Sequence, residues 1–159
     1  MRWLPLLGVL LPWLAGCAGV TLRPHALDQA VRVEEVGLAF TPKGDGQLTL
    51  RLDVENPTFW DAQVTGVDFE LLLDGRRYAV GTRGLSGLPL AADERRTLTV
   101  SFPLESEPAA GDPPRTWRVE VGGGVALTFG ETVRLLPFRA ERYVRLQSFR
   151  PGMPRPEPE

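Results

Sequence analysis

Residue types able to attack a substrate, shuttle a proton or hold a metal are scarce in this chain. Its 159 residues include one cysteine, Cys17, and one histidine, His25. A Ser-His or Cys-His pair needs an imidazole fixed beside its nucleophile. His25 lies in a stretch that reads as a tether, so no such pair can be built on a folded core. Metal sites made from His and Cys fail likewise. Gly84-Leu85-Ser86-Gly87 has the outline of a nucleophile elbow but lacks the glycine two residues after the serine, and no strand-to-helix setting follows it. Gly122 to Gly124 lacks the Lys-Ser/Thr of a phosphate loop and joins two strand patterns, which predicts a hairpin turn. Asp53 with Glu55, and Asp68 with Glu70, each fall on one face of a strand. Such pairs could suit a glycosidase or a calcium site, but solvated strand faces interleaved with Thr49 and Arg51 explain them more simply. The expectation is no catalytic residue, no metal and no cofactor: a protein that is not an enzyme.

The remaining chemistry belongs to the thiol of Cys17. Arg2 and the apolar run Trp3 to Leu14 have the layout of a secretory signal peptide ending in small residues. Leu14, Ala15, Gly16 and Cys17 resemble the lipobox at which bacterial lipoprotein leaders are cut. The resemblance implies removal of residues 1–16, a diacylglycerol on the Cys17 sulfur and a further acyl chain on its freed amino group. A transmembrane helix fits worse, because the run spans about 18 Å against roughly 30 Å of hydrocarbon, and Pro5 and Pro12 oppose a helix. A free reactive thiol fits poorly too, since no His or Lys stands near it in sequence to lower its pKa. Two or three acyl chains hold a protein firmly where one does not. Ala18 follows the cysteine where inner-membrane lipoproteins of the enteric type often carry Asp. The expected address is the bacterial cell envelope, lipid-anchored at the outer membrane and facing the periplasm.

The elements that such an anchor would position are strands. Removing the leader leaves about 143 residues, enough for one domain with an ordinary core. The formal charge of −2 offers no basic field for nucleic acid. From Val31 to Arg139 the dominant period is two: Leu48, Leu50, Leu52 and Val54 share one face, Thr49, Arg51, Asp53 and Glu55 the other. The pattern recurs in Val67 to Leu73, Tyr78 and Val80, Leu98 to Phe102, and Trp117 to Val121, with a last pair in Val125 to Phe129 and Val133 to Phe138. Asp74-Gly75 is the clearest hairpin turn. Phase slips near Gly66 and near Glu34-Glu35 predict bulges. The expected fold is an all-β, antiparallel immunoglobulin/fibronectin-like sandwich of about seven to eight strands over residues 31–148. Residues 17–30 read as a lipidated N-terminus and tether, which extended would reach about 40 Å. Glu105 to Arg115 reads as a crossing loop, and residues 149–159 as a Pro-rich disordered tail.

Leu48 to Leu104 resembles the late embryogenesis abundant (LEA) type 2 family, also called the WHy domain. The resemblance rests on an alternating strand ending in Asn-Pro, Leu50 to Pro57. A strand with a Gly-ended turn follows at Val67 to Gly75, then a short strand closing on Gly81, Leu88-Pro89, and a strand at Thr97 to Pro103. Thr58 stands where many members repeat asparagine. The resemblance implies a non-catalytic module that protects against desiccation or other stress through contacts with membranes or proteins.

Asn56, the only asparagine, needs no ligand to explain it. Pro57 lacks a donor and holds Asn56 extended, ending the strand, and the Asn56 amide can satisfy nearby backbone groups. Trp60, flanked by the polar Thr58 and Asp61, is either a binding contact or an aromatic folded onto the sandwich edge. The partners expected are the membrane, through lipidated Cys17, and an envelope protein or lipid of unknown identity. Two other functions stand beside stress protection or envelope maintenance. One is an adaptor or accessory subunit of an envelope assembly. The other is a carrier holding an apolar ligand between the sheets.

Overall fold

The computed structural model describes residues 27–41, 45–105 and 116–145. Seven strands follow one another: β1 (Val31–Phe40), β2 (Gly46–Glu55), β3 (Ala62–Leu73), β4 (Arg76–Leu90), β5 (Arg95–Leu104), β6 (Thr116–Phe129) and β7 (Thr132–Arg145). They form a three-stranded sheet, β1-β2-β5, and a four-stranded sheet, β4-β3-β6-β7. Every pairing is antiparallel. This is an all-β sandwich of the expected class.

Alternation explains the core. In the smaller sheet Leu48, Leu50 and Leu52 stand opposite Phe102, Val100 and Leu98, and all six are buried. Period two places each of these rows on the inner face. In the larger sheet the centre is a row of alternating size. Gly81 pairs with Phe69, Phe69 with Gly123, and Gly123 with Phe138. The Phe69 ring covers Gly81, where an added Cβ would lie 2.6 Å from its nearest ring carbon. Phe102 of the other sheet meets Phe69 in a close, tilted contact, with ring centroids 4.3 Å apart and planes at 46°. Side chains therefore fill the space between the sheets.

This row corrects the reading of Gly122 to Gly124 as a hairpin turn. These glycines lie in the middle of β6, bonded on one side to β3 and on the other to β7. Gly123 is small because a side chain there would run into the backbone carbonyl of Asp68. Clusters of glycine signal turns or close backbone approach alike, and here close approach decides. Two further expectations change. β4 continues past Gly81 to Leu90 as a single strand, and Val80 is 63% exposed rather than part of the inner face. The bulges do occur, between Val33 and Glu35 and between Val64 and Gly66. Asp74 and Gly75 both have positive φ, 49° and 77°, as a type I′ hairpin turn requires.

The two ends of the sandwich differ. At one end lie Ala30, the β2–β3 connection at residues 56–61, the β4–β5 connection at 91–94 and the β6–β7 turn at 130–131. At the other lie the Asp74-Gly75 turn, the start of β6 and the end of β7. The chain enters the fold at the first end and leaves β7 at the second.

Candidate functional site

The first end is built around Asn56, which is fully buried. Its Nδ2 donates to the carbonyl oxygens of Trp60 at 2.7 Å, Ala91 at 3.0 Å and Leu90 at 3.2 Å. Its Oδ1 accepts from the Thr58 hydroxyl at 2.8 Å and the Thr58 N–H at 3.2 Å. One side chain thus ties together both connections that cross between the sheets here, β2 to β3 and β4 to β5. Backbone bonds reinforce the tie: Asn56 N donates to Glu94 O and Asp93 N to Thr58 O. At the surface, Asp61 and Glu94 brace the same connections, accepting from the N–H groups of Ala92 and Ala91. The Ala91 bond, and then Arg96, hold the Glu94 carboxyl below its ordinary value.

The loop these bonds fix presents two aromatic side chains to solvent. Phe59 is 81% exposed and Trp60 62%, while the Trp60 backbone is held on both sides, its N–H donating to the Thr58 hydroxyl and its carbonyl accepting from Asn56. Trp60 does not fold onto the sandwich edge. Its exposure does not come from polar neighbours alone, since Thr58 is itself buried and serves as a strut beneath the aromatics. Phe59 escaped the sequence reading because period-two reasoning stops where a strand ends. The useful signal was adjacency, two aromatics in a loop that Asn-Pro closes off from the strand.

The other sequence candidates lie apart from this loop. Gly75 forms the distant hairpin turn and Gly81 lies mid-β4 beneath Phe69. Pro57 follows Asn56 in the crossing connection. Leu14, Ala15, Gly16 and Cys17, together with His25, the stretch 106–115 and the tail, fall outside the described residues.

A concavity of about 560 Å³ lies on the outer face of the larger sheet, where Gly122 and Gly123 lower the floor between Asp68, Glu70, Glu120 and Arg139. Its carboxylates already have partners. Asp68 accepts from the Gly124 N–H, Glu70 pairs with Arg77 at 2.5 Å, and Glu120, only 8% exposed, pairs with both Arg139 and Arg118. The hydrogen bond from Arg139, and after it that from Arg118, outweigh burial and hold the Glu120 carboxyl below its ordinary value of 4.5. An acid catalyst needs the opposite shift. Asp53 and Glu55 likewise face Arg95. Among the described residues no group of three or more His, Cys, Asp or Glu could hold a metal ion.

Solved structures share this architecture. One is the solution structure of a protein provisionally assigned as late embryogenesis abundant, with a TM-score of 0.59 at 16% identity over 77% of this chain and 74% of that one. The chain shares the fold of that structure. A protein of Arabidopsis thaliana gives a TM-score of 0.57 at 15% identity, covering 79% of this chain and 87% of that one. One from Archaeoglobus fulgidus gives 0.52 at 16%, covering 73% and 98%. At these identities the likeness is one of fold. No protein-family model matches the chain, and no curated protein does. On this fold, the segments that carried the sequence resemblance map onto β2 to β5. The Asn-Pro pair falls at the first sheet crossing, Leu88-Pro89 falls on the last part of β4 before the second, and the Asn56 amide joins the two.

Proposed function

We propose that the protein is a membrane-anchored, non-catalytic envelope lipoprotein whose LEA type 2-like domain acts in stress protection or envelope maintenance through surface contacts. The observation that carries this reading is the sequence Leu14-Ala15-Gly16-Cys17 behind a short apolar run, placed ahead of a sandwich of this fold. An anchor that holds a domain at a surface suits action by contact. The carrier alternative loses its support, because the space a ligand would occupy between the sheets is filled by Phe69, Phe102 and fully buried leucines. The adaptor alternative keeps the same anchor and differs only in having one stoichiometric partner.

Cys17→Ser tests the reading. The substitution is expected to abolish acyl mass on the protein and to release it from the membrane fraction. Cells carrying it should survive drying no better than cells lacking the protein. Unchanged membrane distribution would overturn the anchor, and unchanged survival in cells lacking the protein would overturn the protective role.

A further inference from the structure

We propose that Phe59 and Trp60 are a membrane contact, seated at the headgroup boundary of the bilayer that carries the lipid anchor; this deepens the anchored reading and rests on it. Two large aromatic side chains stand in solvent on a loop whose backbone is fixed from beneath by Asn56 and Thr58. Fixing the backbone removes most of the ordering cost that a flexible loop would meet on insertion. Tryptophan favours the membrane–water boundary, where its ring meets apolar chains and its N–H still finds a partner.

The path of the chain says which surface covers them. Ala30 lies beside the loop, its carbonyl accepting from the N–H of Glu55 at 2.7 Å, one residue before Asn56. The backbone from Leu27 back to Cys17 spans at most about 35 Å when extended. A lipid on Cys17 therefore holds this end of the sandwich nearer the bilayer than the Asp74-Gly75 end. The charges of the loop select the kind of contact. Asp61 and Glu94 are turned onto backbone N–H groups, and Arg96 pairs with Glu94 at 2.7 Å. Among the described residues no basic cluster faces outward with the aromatics, so the contact is apolar and independent of anionic lipid.

The lipidated full-length protein, purified from membranes and reconstituted into phosphatidylcholine vesicles with brominated acyl chains, tests the proposal through tryptophan emission. Subtracting the signal of Trp60→Phe isolates Trp60 from every other tryptophan of the chain. Trp60 emission is expected to shift to the blue and to lose roughly half or more of its intensity to the bromines, as a boundary position requires. Adding phosphatidylglycerol should change this little. Phe59→Ser should weaken the quenching while leaving urea stability unaltered, because its side chain is already exposed. Unquenched Trp60 in a protein whose Cys17 carries acyl mass would overturn the membrane contact and leave the anchor standing. Absence of acyl mass would overturn both. Shielding of Trp60 in native envelopes but not in pure lipid would assign the loop to a protein partner and overturn the proposal.

Discussion

Every polar atom of the Asn56 amide is engaged inside the molecule, and two of its partners, Leu90 and Ala91, come from a connection far along the chain. A turn residue that served only its own loop would be replaceable at about 1 kcal/mol. Asn56→Ala instead strands the buried Leu90 carbonyl and Thr58 N–H together with two part-buried carbonyls, and is expected to cost about 2–3 kcal/mol in equilibrium urea denaturation. Asn56→Asp should cost more, since it places an acceptor and a charge among three carbonyl oxygens. Parent-like stability of Asn56→Ala would show that the amide has no part in the fold. The local role of Asn56 was legible in sequence, because Pro57 forces an extended residue that ends the ladder. Its reach to Leu90 was not, since nothing in sequence brings residues 56 and 90 together. Glu120 makes the same point with charge. Its carboxyl is held below its ordinary value of 4.5 by Arg139 first and Arg118 second, so its contribution is present above the unfolded value and lost as pH falls through the lowered folded one. Glu120→Gln should therefore be less stable than the parent at pH 7. The gap should close as pH falls below about 4.5, the ordinary carboxylate value, as thermal melts across that range would show.

At the scale of elements, the row Gly81–Phe69–Gly123–Phe138 sets the centre of the larger sheet. It separates glycines by what each one meets. Gly123→Ala drives a methyl into the Asp68 backbone, which cannot rotate away as a side chain can. The expected loss is about 3 kcal/mol, the upper range for overpacking. Gly84, in β4, meets nothing within 4 Å of an added Cβ, so Gly84→Ala should alter stability by less than about 0.5 kcal/mol or raise it slightly. Comparable losses at both positions would show that β-strand glycines matter here through backbone freedom rather than contact. Strand existence, the two bulges and the Asp74-Gly75 turn were all legible, because period two, a break in phase and a residue pair suited to positive φ are local signals. The glycine run of β6 was misread because a local signal cannot separate a turn from a place where a neighbouring backbone comes close. That neighbour, Asp68, lies more than fifty residues away in the chain.

The whole molecule has a direction. The chain enters beside Phe59 and Trp60 and leaves β7 at the far end, along strands of up to 15 residues that span about 50 Å at about 3.3 Å per residue. An anchor at Cys17 would stand the sandwich on its aromatic end. Fluorophores placed through Glu131→Cys and Arg76→Cys, on opposite ends, should report this orientation in the lipidated protein. The label at 131 should be quenched by headgroup-bound quenchers and the label at 76 should not. Equal quenching would mean that the molecule lies flat or tumbles freely on its tether.

Alternating apolar residues, an Asn-Pro strand stop and a run of small residues ahead of a lone cysteine are short-range patterns. By themselves they determined the sandwich, its Asp74-Gly75 turn and the expectation of a lipid anchor. Which strands share a sheet, why three glycines sit mid-strand, and that Asn56 braces two crossings beneath a pair of exposed aromatics were decided only by tertiary structure. Each depends on which distant segment of backbone arrives beside it, and packing, not local propensity, sets that arrival.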